Sequence, residues 1–175
     1  HTQARYALPP VVRRFKDAFP RVHLVLHQGS PAEIVAMLQS GEAEIGIATE
    51  AIDAGPGIAS FPFYEWHHAL VVPEGHALAA VQPLTLEAIA EHPLITYHEG
   101  FTGRARIDAA FADAGLVPDV VMSALDADVI KTYVEVGLGV GIVASMAFDA
   151  ARDRGLVKLE AAHLFPINTT RIALR

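Results

Sequence analysis

The chain's 175 residues suffice for one domain or two small lobes, and its 52% hydrophobic and 19% charged residues exclude disorder as the main state. Twenty acidic against 13 basic residues give a formal net charge of −7, so the chain as a whole repels a phosphate backbone and is expected to bind DNA poorly. There is no cysteine, which excludes disulfide frameworks, thiolate metal sites and cysteine nucleophiles.

No apolar run approaches the roughly 18 residues of a membrane span. The opening HTQAR has neither an initiator Met nor an apolar signal core, as expected of a soluble fragment. Leu8, Val11, Val12, Phe15, Ala18 and Phe19 recur with helical period and predict a helix from about residue 3 to 19, with Thr2 as its N-cap. Pro9 and Pro10 sit beyond the first turn and cannot donate to the carbonyls of Arg5 and Tyr6, so a kink is expected there. Val22 to Gly29 alternates and predicts a strand with apolar residues on both faces.

Ser30 and Pro31 read as an N-cap and first-turn proline of a helix that stops at Gly41. Glu44 to Thr49 is a short strand, Gly55 to Gly57 a loop, and Ile58 to Trp66 and His68 to Val72 read as extended. Thr85 caps a short helix to about Ala90. Leu94 to Tyr97 is a strand, Thr102 to Gly115 a helix, and Val120 to Met122 a strand. A helix from Asp126 ends at Gly137 and feeds the strand Val140 to Val143. Alternation of this kind predicts an α/β fold with parallel sheets covered on both faces, arranged as two small sheets rather than one large one.

His23 and His27 would lie about 13 Å apart on a strand, too far to share an ion, and neighbouring His67 and His68 would face opposite ways. No metal site is expected. Gly137-Leu138-Gly139-Val140-Gly141 resembles part of a dinucleotide fingerprint, but that motif needs a strand before it and a helix after it, the reverse of the order here. It reads instead as a helix C-cap and close packing into a buried strand. No nucleophile elbow, zinc-protease helix or P-loop is present, and Ser145 has no evident base. The chain is therefore read as neither an enzyme nor a cofactor protein. What remains is a set of hydroxyl and amide residues where strands give way to helices: Thr2, Gln3, Ser30, Thr49, Thr102 and Gly103. In open α/β sheets such positions line the ligand crevice, and helix N-termini there offer free N–H groups. Each threonine alone could be a simple cap; together they suggest a neutral pocket for a small anion.

The runs HTQARYALPP from His1, HQGSP from His27, IATEA from Ile47, GFTGR from Gly100, and DADVIKTY with GLGVG from Asp126 span nearly the whole chain. They resemble the effector-binding domain of LysR-type transcriptional regulators, in the CysB/Cbl branch. The resemblance implies a fold like type II periplasmic binding proteins, with two small α/β lobes joined by crossing strands near residues 61–66 and 164–169. Lobe I would be residues 1–64 with 168–175, lobe II residues 65–167, and the ligand would lie in the cleft between them. By the same resemblance Thr2, Gln3, Thr49, Thr102 and Gly103 hold an acidic effector, with Trp66 beside the hinge. The implied function is cytoplasmic control of sulfur assimilation and cysteine biosynthesis. The implied effectors are sulfate, thiosulfate, O- or N-acetylserine, or adenosine phosphosulfate. The implied assembly is a homodimer or homotetramer, in which the Pro10 to Phe19 helix of one subunit packs against the Asp126 to Leu138 helix of another. The family's N-terminal winged helix-turn-helix, through which DNA would be bound, is absent from this chain. The competing reading is a periplasmic-type solute-binding protein for a small anion, which would use the same fold and physics.

Overall fold

The proline pair shapes the first element. In the computed structural model, which describes residues 2–49, 55–101 and 103–175, Gln3–Ala7 is a π-helical turn that runs into helix α1, Leu8–Ala18. Leu8 N–H bonds the carbonyl of Gln3, five residues back; the expected kink thus takes the form of a widened ladder where Pro9 and Pro10 offer no donor. Thr2 does not cap this helix: its backbone is already helical and its side chain caps nothing. Helix α2, Pro31–Ser40, begins as read, and Ser30 and Glu33 exchange side-chain-to-backbone bonds in a full capping box. Gly41, at φ 80°, ends it.

The expected strand from Val22 to Gly29 is corrected. Residues 23–30 carry no ladder, and Val22, Val25 and Leu26 are exposed. Apolar alternation makes a segment able to be a strand, but only a hydrogen-bonding neighbour makes it one, and none is present among the described residues.

The strands form two sheets. β1 (Ile45–Thr49), β8 (Asn168–Leu174) and β2 (Ala59–Trp66) lie in the order β1-β8-β2. The second has the order β5-β4-β6-β3-β7, from β3 (His68–Pro73), β4 (Leu94–Tyr97), β5 (Val120–Ala124), β6 (Val140–Ala144) and β7 (Leu156–Glu160). Two sheets were expected, but not their mixed sense. β4 runs parallel to β5 and β6, whereas β3 runs antiparallel to β6 and β7; only the β4, β5 and β6 stretch has the helical crossovers that parallel pairing needs.

Helix α3, Leu86–Ala90, starts at Thr85, whose hydroxyl accepts from Ala88 N–H. Helix α4 covers Arg104–Asp113, shorter than expected, with Gly103 at its N-cap position. Helix α5, Ala127–Glu135, is capped by Asp126. It ends in a Schellman turn, in which Leu138 N–H reaches Tyr133 O and Gly137 N–H reaches Val134 O. The remaining glycines of GLGVG serve packing. A Cβ on Gly139 would sit 2.4 Å from the Pro93 carbonyl oxygen, and one on Gly141 would sit 2.8 Å from Ile130 and Val134 of α5.

The chain divides into two compact units, His1–Tyr64 with Thr169–Arg175, and Glu65–Asn168. The first has a small core of Leu38, Ala48 and Ala173, packed on by Ile34, Val35 and Ile58. The second is built on Leu70, Val72, Ile89, Leu94, Ile107, Phe111, Ile142 and Phe165.

Candidate functional site

In the first unit, Gln3 projects from the π-helical turn, Thr49 ends β1, Thr170 lies on β8 and Tyr64 on β2. Register brings the threonines together: Thr49 is the cross-strand partner of Thr170, and their hydroxyls are 3.3 Å apart. Gln3 Nε2 donates to both hydroxyls, each at 3.1 Å. Its Oε1 accepts from the Tyr64 hydroxyl. Thr170 is fully buried, and Thr2, next to Gln3, is buried with no hydrogen-bond partner for its Oγ1. Burial pushes the Tyr64 phenol above its ordinary value, against the opposing hydrogen bond from Thr170; Tyr64 is therefore a neutral O–H donor at physiological pH. The cluster consists of neutral side chains rich in donors, which suits an acceptor ligand.

In the second unit, Trp66 is buried edge-on to His68, with ring centroids 5.0 Å apart, and Phe165 flanks His68 on a further edge contact. Asn168 Nδ2 meets His68 Nδ1 at 3.3 Å, while its Oδ1 is buried without a partner. Gly103 covers this pair. At φ 71° it adopts a left-handed backbone, and a Cβ there would lie 2.4 Å from Asn168 Oδ1 and 2.9 Å from His68 Cε1. Thr102 lies outside the described residues. Arg104, the obvious cation nearby, is committed: it donates to the Tyr97 carbonyl at 2.7 Å, to Ser123 Oγ at 3.2 Å and to Asp108 at 2.8 Å.

The structure thus joins Gln3 and Thr49 in one cluster, and Trp66 and Gly103 around His68 in another. Sequence reading missed Thr170, Tyr64, His68 and Asn168. A tyrosine in a strand is a signal of its own, because a half-buried phenol carries a hydroxyl that needs a partner. Thr170 gives no local signal; its role comes from register alone. Among the described residues no three His, Asp or Glu side chains come together in a way that could hold a metal ion, and no helix is long and apolar enough to cross a membrane.

The family model for the LysR substrate binding domain matches residues 1–175, and the chain belongs to that family. Its α/β architecture is that of LysR effector-binding domains, which is of the type II periplasmic-binding-protein kind. The HTH-type transcriptional regulator SsuR of Burkholderia cenocepacia is 61% identical over 175 residues, all of this chain and 57% of the relative. The regulator CysB of the same organism is 53% identical, again over the whole chain and 56% of its own length. The solved cofactor-binding domain of the Cbl transcriptional regulator superposes with a TM-score of 0.95 at 52% identity, covering 100% of this chain and 77% of that one. The chain therefore spans little more than half the length of these curated relatives. The relatives are transcriptional regulators, and the chain is a ligand-sensing type of domain, not an enzyme.

Proposed function

We propose that this chain is the effector-sensing part of a transcriptional regulator of sulfur assimilation and cysteine biosynthesis, and that it binds a small anion: sulfate, thiosulfate, an O- or N-acetylserine, or adenosine phosphosulfate. Thr2, Gln3 and Thr49 form the part of the site that receives the anionic group; Trp66, Thr102 and Gly103 are the further contacts that the family resemblance implies. DNA is reached through an N-terminal helix-turn-helix outside these residues, and the regulator works as a homodimer or homotetramer in the cytoplasm.

The observation that carries this reading is the neutral donor cluster of Gln3, Thr49, Thr170 and Tyr64, with the buried, unpartnered hydroxyl of Thr2 one residue before Gln3 in the chain. Hydrogen bonds to an ionised acceptor contribute about 1.5 to 3 kcal/mol each, so a few converging hydroxyls suffice without a formal cation. Arg104, whose Nε and Nη1 already donate to Asp108, Tyr97 and Ser123, is the rival anchor. Titration calorimetry with sulfate and O-acetylserine tests this. Thr102→Val is expected to weaken binding roughly tenfold or more with the fold intact. Normal binding by Thr102→Val, together with loss of binding in a folded Arg104→Ala, would replace the neutral pocket with a charge-based one.

A further inference from the structure

β7 is the outer strand of the five-stranded sheet, and among the described residues it is paired only with β3. In an antiparallel pair, rungs that exchange both backbone bonds alternate with rungs that exchange none. Glu74 N–H bonds the Gly155 carbonyl at 2.8 Å, one rung beyond Pro73 and Leu156. The bonded rungs are therefore Val72 with Val157 and Leu70 with Leu159. The other side of β3 agrees: Ser145 N–H bonds the His67 carbonyl at 2.9 Å, which turns the backbone of Ala69 and Val71 toward β6. The N–H and C=O of Leu156, Lys158 and Glu160 consequently point away from the sheet. The Asp153 carbonyl takes the Leu156 N–H, whereas those of Lys158 and Glu160 meet no backbone partner among the described residues. Such an edge is a template for another strand. Beside it lies a hollow of about 400 Å³, lined by Leu78, Val81, Leu84 and Leu159, and His163 Nε2 steadies its far wall by donating to the Leu84 carbonyl at 2.7 Å. Side chains alternate along a strand, so Leu159 lies on the core face while Lys158 and Glu160 share the opposite one. There they meet only loosely, at 3.7 Å, with Lys158 also 3.4 Å from Ser145 Oγ and Glu160 3.5 Å from His67.

We infer that this edge takes a second copy of the chain: β7 pairs antiparallel with β7 of another copy about a two-fold axis at Leu159, joining two five-stranded sheets into one. The charges select that register. An axis at Lys158 would oppose lysine to lysine, and one at Glu160 glutamate to glutamate. An axis at Leu159 sets each Lys158 across from Glu160 of the other copy, and opposite charges across a rung are favourable where like charges are not. Lys158 and Glu160 are also the residues whose backbone groups face outward, so both of these rungs exchange their hydrogen bonds, and the two Leu159 side chains meet beside the hollow. A small anion would use the outward N–H groups but face the carbonyls beside them; another strand satisfies both. The pairing is independent of the anion reading and uses neither α1 nor α5. Its overlap is confined to residues 158–160 and each copy carries −7, so the contact is weak on its own and is trapped chemically rather than weighed.

The absence of cysteine makes the trap clean. Lys158→Cys and Glu160→Cys are prepared separately as full chains, checked by circular dichroism, and treated with diamide alone and as a mixture. Partners in a bonded rung have Cα atoms about 5.5 Å apart, within disulfide reach. Identical positions are offset by two residues, about 6.6 Å along the strand, which puts them beyond the limit of about 7 Å. The mixture is expected to cross-link about tenfold faster than either variant alone, through a 158-to-160 disulfide identified by peptide mass spectrometry, and an excess of acetyl-Leu-Val-Lys-Leu-Glu-amide, which copies β7, should slow it. Equal rates in the three samples mean random collision and overturn the pairing. A mixture that binds the peptide but does not cross-link also overturns it, and assigns the edge to an extended peptide of another protein. A readout without substitutions covers failure of either variant to fold: in the wild-type chain, hydrogen exchange at the Lys158 and Glu160 amides should slow as concentration rises from about 0.01 to 1 mM. Exchange that ignores concentration overturns the proposal.

Discussion

Lys131 shows what a buried charge demands of its neighbours. It sits on α5 with a side chain only 7% exposed, and its ammonium meets Asp153 at 2.9 Å, Asp128 at 3.3 Å and the Ala147 carbonyl at 2.7 Å. All three hydrogens of the ammonium thus have acceptors. Asp153 in turn accepts from Asp149 N–H at 2.8 Å, so one side chain fastens the turn after β6 to the helix above it. Removing one partner of such a group leaves the other charge desolvated and alone, which costs more than the pair contributes. Lys131→Met keeps the bulk and deletes the charge; it is expected to lower stability by about 3 kcal/mol, read as a fall in the urea midpoint with an unchanged slope. A midpoint within experimental error of wild type would show that water reaches Asp153 freely.

At the scale of elements, the short 3₁₀ turn Ala77–Ala80 depends on a titratable cap. His76 Nδ1 accepts from Leu78 N–H at 3.2 Å, which only the neutral ring with its hydrogen on Nε2 can do. Burial, and then the neighbouring His92, whose ring centroid is 4.8 Å away, hold His76 below its ordinary value of 6.5. The unfolded chain thus takes up this proton at a higher pH than the fold does. The stability due to His76 is therefore complete above pH 6.5 and is lost as pH falls through the lowered value. His76→Asn supplies a cap acceptor that does not titrate. Its urea midpoint should change less than that of wild type between pH 7.5 and about pH 5; parallel curves would remove His76 from the pH response. Elements closed by local chemistry were legible in the sequence: α2 between Ser30 and Gly41, α3 from Thr85, and α5 between Asp126 and Gly137 all lie where their caps put them. Strands were less so. Val22 to Gly29 has the pattern and no ladder, and Thr49 meets Thr170 across 121 positions of sequence, a pairing that no local window contains. Half of the first unit's cluster was invisible for that reason, and the half that was read came from positions at a helix start and a strand end.

For the whole molecule, the telling residues are the apolar ones that folding leaves outside. The helical stripe predicted for α1 does not enter a core: Val11 is 48% exposed, Phe15 37% and Phe19 54%. On α5 and its C-cap, Val129, Tyr133 and Val136 follow one another at helical spacing and are exposed, while Ile130 and Val134 are buried. Single exposed apolar residues are ordinary, but faces of this kind on two helices mark contact surfaces. We propose that they serve self-association, as the family resemblance implies, and a charge argument makes the proposal specific. Each copy carries −7, so copies repel at long range and attract through the apolar contact; added salt screens the first and leaves the second in place. Sedimentation velocity at tens of micromolar should therefore show a dimer or tetramer whose dissociation constant falls as sodium chloride rises from about 0.05 to 0.5 M, where screening shortens from roughly 14 to 4 Å. Phe15→Asp, at a position already open to solvent, should shift the population to monomer without loss of helical signal. A wild-type chain that stays monomeric at every salt concentration would leave both apolar faces without this role, and an association that weakens with salt would point to ion pairs in place of the helix contact.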